Sequence, residues 1–288
     1  MFSGTIWLGI GVNTLMLASM YIMAALGFAF IFNMLGAINL AHGNIYMMGA
    51  YIAYFICYSL NLPNWLSILI AAVITAAFGL LLERFAIRPF KDDFSRIVMV
   101  GVALMFIFQT IAILCSGTKN LSIPLFAEGT LRAGALSVSY QKIIMFAVAV
   151  VILAIVLFIT NKTKLGREMK AVSQDRLGAA LQGIPINRVA GIVCAIGCGI
   201  ATIAGGLMGS YQSLSSSMGD TITLRILMLV MMAGAGSMNG IIVTGLIMGF
   251  LDAFFPVLLS GSMATTVTLF VVIVILLIRP KGFFGHEM

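Results

Sequence analysis

The chain has 288 residues, of which 61% are hydrophobic and only 9% charged, with a formal net charge of +7. A water-soluble domain of this length needs more charged residues to cover its surface. The composition therefore excludes a soluble protein and predicts an integral membrane protein.

Nine apolar segments approach the ~20 residues that a transmembrane helix needs. They cover residues 6–32, 45–60, 63–82, 97–116, 141–160, 189–211, 222–237, 239–259 and 262–278. Strand alternation is absent, and helices satisfy their own backbone hydrogen bonds in lipid. The predicted fold class is therefore an all-α integral membrane protein, a polytopic bundle of eight to ten transmembrane helices in one domain, 1–288. The first apolar run is too long for a signal peptide, so we expect it to remain as a helix.

Basic residues are distributed unevenly along the chain. Twelve of the sixteen Lys and Arg residues lie in two loops and the C-terminal tail. These are Arg84, Arg88, Lys91, Arg96, Lys162, Lys164, Arg167, Lys170, Arg176, Arg188, Arg279 and Lys281. The other side keeps Lys119, Arg132, Lys142 and Arg225. By the positive-inside rule, the basic loops and the C-terminus are predicted to be cytoplasmic. The net charge thus reflects topology and predicts no nucleic-acid partner.

The first interruption of the apolar pattern is the polar segment Asn33–Gly49. Asn39, His42 and Asn44 lie within it and must face protein or water, because lipid would leave them unsatisfied. Two interpretations remain open. The three side chains line a substrate pathway, or they cap backbone groups freed by a break in the helix.

The second interruption is the Gly-rich segment Gly234–Gly249. Paired interruptions in the two halves indicate either a transport site formed by broken helices or two ordinary turns between helices.

A long basic loop, 161–188, lies between two apolar segments. Long ordered loops are usually functional. Good helix formers over Lys170–Gly183 predict one helix, with Gly183 and Pro185 as its stop signal. Its small residues suit a shallow groove of another protein. The alternative is an amphipathic helix lying on the membrane surface.

The second half of the chain is rich in small residues. Gly197, Ala201, Gly205 and Gly209 recur every four residues, a spacing that lets helices approach closely. Asp252 is the only acidic residue within a predicted span. An intramembrane carboxylate is a functional candidate, as a proton carrier or a pathway wall, although Asp252 could also reach water at the end of its helix.

Enzyme chemistry has little support in the sequence. No P-loop motif occurs, so ATP cannot bind in that way. The two histidines, His42 and His286, exclude a His-rich metal site, and no nucleophile motif such as G-x-S-x-G is present. We therefore expect no catalytic residues, no metal and no cofactor.

Several stretches carry a family resemblance. They are GAINLAHGNIYMMGAY at 36–51, ERFAIRPFK at 83–91, TKLGREMKAVSQDRLGAALQGI at 163–184, GLIMGFLDA at 245–253 and IRPKGFFG at 278–285. Through them the chain resembles the inner-membrane permease subunits of bacterial ABC importers for branched-chain amino acids, specifically the shorter of the two permeases. One departure is MMAGAGSMNG at 231–240, where relatives have a richer Gly-Gly run.

The resemblance implies a site and a set of partners. The ATPase-coupling residues would be Gly166, Arg167, Ala171, Asp175, Ala179, Ala180 and Gly183. The partners would be a second permease subunit (usually in a heterodimer), two cytoplasmic ATPase subunits and an extracytoplasmic solute-binding protein. Transport of an apolar amino acid through the plasma (inner) membrane would be the function. Alternatives are an ABC permease for urea or short amides, and a proton-coupled secondary transporter that uses Asp252.

Overall fold

The computed structural model describes residues 4–36, 38–90, 93–117, 121–133, 136–234 and 236–284. Lys91, Lys119 and His286, used in the sequence analysis, lie outside the described residues. The helices are α1 (Gly4–Leu35), α2 (His42–Leu60), α3 (Asn64–Leu82), α4 (Phe94–Ser116), α5 (Tyr140–Lys162), α6 (Lys164–Gln174), α7 (Arg176–Leu181), α8 (Ile186–Gly209), α9 (Met218–Ala233), α10 (Met238–Leu258) and α11 (Gly261–Ile278). A π-helical turn, Glu83–Ile87, and a 3-10 turn, Arg88–Phe90, continue α3.

The predicted all-helical membrane bundle is confirmed. Each of the nine predicted segments corresponds to a helix, and α9 ends at Ala233 before α10 begins at Met238. Within the described residues, seven helices are long and apolar enough to cross a membrane, one fewer than the lower end of the predicted range. The other two predicted segments are α2 and the 16-residue α9. Both carry polar residues in their first turns. Both also pack against longer helices, so neighbouring protein covers part of their surface and they can be shorter and less apolar than a helix surrounded by lipid.

The helices α2 and α9 both begin inside the bundle. The ring of His42, the first residue of α2, lies 3.2 Å from the carbonyl oxygen of Ala24, which is in the middle of α1. Before α9, the loop after α8 is not a simple surface turn, because Leu214 is fully buried and pairs with Leu121. Polar residues at the start of α2 and α9 are thereby brought into the interior.

Small residues allow the central helices to approach closely. A side-chain carbon added to Gly249 of α10 would lie 2.6 Å from the backbone nitrogen of Ala18 in α1. One added to Gly197 of α8 would lie 2.7 Å from the carbonyl oxygen of Gly27. The predicted tight packing along these faces is therefore confirmed.

A short hairpin precedes α5. Strand β1 (Thr130–Ala133) pairs antiparallel with β2 (Leu136–Ser139), with Thr130 opposite Ser139. The sequence analysis did not predict it, since four-residue strands leave almost no periodic signal.

Candidate functional site

The basic loop 161–188 contains two helices, so the prediction of one helix over Lys170–Gly183 is wrong. Asp175 separates α6 from α7, because its backbone is extended (φ −147°, ψ 102°). Its carboxylate accepts a hydrogen bond from the backbone N–H of Gly178 at 2.9 Å. Asp is a preferred N-cap residue, and this capping bond starts a new helix in place of continuing the old one.

The predicted stop at Gly183 is confirmed. Gly183 has a positive φ of 82°, a conformation that glycine adopts without steric cost. The N–H of Gly183 donates to the carbonyl of Ala180 at 3.0 Å, and that of Ile184 to the carbonyl of Ala179 at 3.1 Å. This pair of bonds is a Schellman motif and leaves α7 with a defined end.

The seven predicted coupling residues do not form one surface. Gly166 is buried against the carbonyl oxygens of Ile159 and Thr160, so it makes the tight turn between α5 and α6. Ala179 is also buried, and Ala171 is half-buried. The outward-facing members are Arg167, Asp175, Ala180 and Gly183.

Large apolar side chains stand beside these outward-facing residues on α7. Leu177 is 73% exposed and Leu181 is 82% exposed. Next to them is an open groove of about 590 Å³, bordered by Ala180, Arg176 and the start of α8. An exposed apolar pair beside small residues and a groove is the kind of surface that a protein partner covers.

Arg88 connects the earlier basic loop to this surface, a contact that sequence reasoning missed. Its Nε donates to the buried carboxylate of Glu83 at 3.1 Å, and its Nη2 donates to the carbonyl of Asn187 at 3.2 Å. The two loops that the charge pattern assigned to one side of the membrane therefore meet at one end of the bundle.

The three polar residues of the first interruption are buried. Asn39 Oδ1 accepts from the backbone N–H of Ala41 at 3.1 Å, so Asn39 serves the structural role that was one of the two interpretations. His42 contacts the Ala24 carbonyl and packs edge-on against Phe28.

Asn44 belongs to a polar cluster that includes an acidic residue missed by the sequence analysis. Its Nδ2 donates to Asp220 Oδ1 at 3.3 Å, and Gln109 Nε2 donates to Asp220 Oδ2 at 3.1 Å. Asp220 lies in the first turn of α9, whereas the predicted segment began at residue 222. Asp220 thus lies outside the predicted span but inside the helix, so Asp252 is not the only acidic residue in these two helices.

Asp252 is also not an isolated carboxylate. Its Oδ2 lies 3.0 Å from Arg225 Nε and accepts a hydrogen bond from the Tyr21 hydroxyl at 2.6 Å. Arg225, which the charge count placed on the outer side, is inside α9 with its side chain only 23% exposed. A carboxylate held by a guanidinium has a partner for its negative charge, which disfavours a proton-carrier role.

The four predicted pathway residues contact different helices. His42 contacts α1 at Ala24, while Asp252 contacts α1 one turn earlier at Tyr21. Asn39 and Asn44 face α4 and α9 respectively.

A family model and the similar proteins all indicate the same family. Residues 10–278 match the family model described as "Branched-chain amino acid transport system / permease component". The chain is 30% identical to the Pseudomonas aeruginosa "High-affinity branched-chain amino acid transport system permease protein BraD", over 96% of this chain and 94% of the relative. It is 29% identical to the corresponding Escherichia coli protein LivH, over 95% and 94%.

Two further similarities are more distant. The E. coli permease protein LivM is 25% identical, over 81% of this chain and 60% of that protein. Among solved structures, "PsaBC from Streptococcus pneumoniae in complex with Fab" matches with a TM-score of 0.53 at 15% identity, covering 94% of this chain and 92% of that chain. The structural similarity supports the fold alone.

Proposed function

The chain belongs to the family of permease components of branched-chain amino acid transport systems, and we propose that it is driven by separate ATPase subunits that dock on the loop 163–184. The chain is a multi-pass membrane protein and a permease of such a system. ATP hydrolysis is assigned to a partner because the sequence holds no P-loop. The exposed α7 surface, with Leu177 and Leu181 beside Ala180, is the observation that carries the docking proposal.

The contacts of the loop give a route for mechanical transmission. Gly166 packs directly on the last carbonyls of α5, so α6 cannot move independently of that helix. Ala179 and Val189 of α8 are buried in the same hydrophobic cluster. Arg88, which follows α3, donates a hydrogen bond to the Asn187 carbonyl in α8. A push on α7, generated when two ATPases close around ATP, would thus reach α3, α5 and α8 together. This coupled movement is the proposed switch between inward- and outward-open states.

A second permease subunit is part of the proposal. This chain resembles both LivH and LivM, which are each described as a permease protein of a high-affinity branched-chain amino acid transport system of E. coli. Two similar permeases in one organism support a heterodimer of two different permease subunits. The unpartnered face of α9 carries Thr221 beside the exposed Leu224 and Met231. The Thr221 hydroxyl donates to the Ser217 carbonyl at 3.2 Å, and the exposed Leu224 and Met231 offer an apolar surface that a second permease subunit could cover. An extracytoplasmic solute-binding protein would deliver the substrate to the opposite end from α7.

The proposed substrate is a branched-chain amino acid, moved into the cytoplasm. Transport of urea or short amides is the alternative within the same class. The proton-coupled alternative has lost its main support, because Asp252 is paired with Arg225.

Energy coupling tests the proposed function. Cells that express the complete transport system should take up radiolabelled leucine as long as ATP is present, even after a protonophore has collapsed the proton gradient. ATP depletion with the gradient maintained should stop uptake. Uptake that follows the gradient and ignores ATP would contradict the proposal and favour a secondary transporter.

Orientation can be tested with introduced cysteines. The positive-inside rule places the loop 161–188 and the C-terminus in the cytoplasm and β2 outside. In a background with the exposed Cys115 replaced by Ser, Ser137→Cys should react with a membrane-impermeant thiol reagent in intact spheroplasts. Gln174→Cys, which is equally exposed, should react only after permeabilisation. Labelling of Gln174→Cys in intact spheroplasts would overturn the assigned topology.

A further inference from the structure

The ion pair between α9 and α10 has unused hydrogen-bonding capacity. Arg225 Nε lies 3.0 Å from Asp252 Oδ2, and the Arg225 guanidinium lies over the Tyr21 ring, 5.5 Å from the centroid. Within the described residues, neither terminal nitrogen of Arg225 has a hydrogen-bond partner, and neither does Asp252 Oδ1. One guanidinium edge and one carboxylate oxygen are therefore free to bind something else, although the Asp252 side chain is only 8% exposed.

Both groups border the same small cavity. Its volume is about 110 Å³, and its other walls include Gln212, Thr265, Leu17 and Ala264. At about 30 Å³ per water, this is space for roughly four water molecules. The cavity can therefore hold the ammonium, α-carbon and carboxylate of an amino acid, with the side chain directed towards its open side.

Stability alone does not account for the pair. A buried ion pair is often no more stabilising than apolar residues of the same volume, because removing two charges from water is costly. A ligand that carries both charges at a fixed spacing would use the free donor and the free acceptor together. A ligand with one charge would meet a like charge, and a neutral amide could hydrogen-bond to both groups but would bring no opposite charge to either.

We propose that this cavity is a binding site for the zwitterionic head group of the transported amino acid. The terminal nitrogens of Arg225 donate to the substrate carboxylate, and Asp252 Oδ1 accepts from its ammonium group. Leu17 and Ala264 form an apolar part of the cavity wall. The small cavity would therefore recognise the charged head group and accept different aliphatic side chains. The inference rests on the proposed function and identifies the chemistry that would favour a zwitterion over urea and short amides.

Protection of an introduced cysteine tests the site without disturbing the ion pair. Thr265→Cys, in the Cys115→Ser background, places a thiol on the cavity wall. Thr266→Cys is the matched control, since Thr266 is exposed on the same helix but does not line the cavity. The measurement is the rate of modification by a small methanethiosulfonate in permease–ATPase complexes in lipid nanodiscs, with ligand added directly and no binding protein present.

The expected result is selective for leucine. Leucine at roughly ten times its dissociation constant should slow the modification of Thr265→Cys about tenfold, by mass action, and leave Thr266→Cys unaffected. Leucinamide, which lacks the carboxylate, and 4-methylpentanoate, which lacks the ammonium group, should protect far less at the same concentration. If Thr265→Cys does not assemble, Gln212→Cys, which also lines the cavity, provides the same readout.

The neutral double variant Arg225→Gln/Asp252→Asn separates binding from a structural role. It should assemble, and its cavity cysteine should react at the unprotected rate with or without leucine. Protection by leucine that persists in this variant would overturn the inference, as would equal protection by leucine and leucinamide. Absence of any protection, in complexes whose wild-type form takes up leucine in vesicles, would reject the site and leave the proposed function intact. Absence of uptake in the wild type would instead reject the function.

Discussion

Replacing Asp252 alone by Asn should destabilise the protein far more than replacing Asp252 and Arg225 together. The single change leaves the Arg225 guanidinium in the bundle without its counter-charge, and breaking a buried pair in this way costs about 3–5 kcal/mol. The lower end of that range applies here, because 23% of the Arg225 side chain remains exposed. In Arg225→Gln/Asp252→Asn no unpaired charge remains, so most of the stability should return.

Thermal unfolding of the purified complex measures this difference. The midpoint of Asp252→Asn should lie well below that of the wild type, and the midpoint of the double variant should lie close to it. Asp220→Asn is the control, because Asp220 accepts from the amides of Asn44 and Gln109 and has no cationic partner among the described residues. Equal losses in the single and double variants would show that the two side chains do not depend on each other.

The helices were predictable because the signal for a membrane span is local. The length and apolar composition of each segment are enough to predict a membrane helix, whatever the segment packs against. The Schellman end of α7 was equally local, since Gly183 must supply the positive φ. The break at Asp175 has a local signal as well, because Asp is a preferred N-cap residue, but the good helix formers on both sides of it favour one continuous helix.

The candidate site was less predictable because its contacts join distant parts of the chain. Tyr21, Arg225 and Asp252 come from three helices, and no spacing in the sequence relates them. Arg225 was counted with the outer residues because a charge near the end of a predicted span is normally taken to reach water. The structure places it beside Asp252, where two intramembrane charges satisfy each other.

Enlarging Ala180 should weaken ATPase docking without affecting the fold of the permease itself. Ala180 is exposed on α7 and borders an open groove, so a Trp there can be accommodated without displacing the core and would occupy part of the proposed docking surface. Overpacking at a close contact typically costs ~1–3 kcal/mol, which corresponds to a loss of affinity of about five- to 150-fold. Gly183 is a poorer position for this experiment, because its positive φ would strain any bulky residue whether or not a partner binds.

Co-purification of the ATPase subunits with the permease tests the central claim most directly. Membranes containing Ala180→Trp should yield normal amounts of permease but much less bound ATPase, together with a matching loss of leucine uptake. Ser137→Trp is the control, since it places the same side chain on the exposed hairpin strand β2. Ser137→Trp should retain normal recovery of ATPase and normal uptake of leucine. Wild-type recovery of ATPase and wild-type uptake in Ala180→Trp would contradict the docking of ATPases on α7 and favour a helix that lies on the membrane surface.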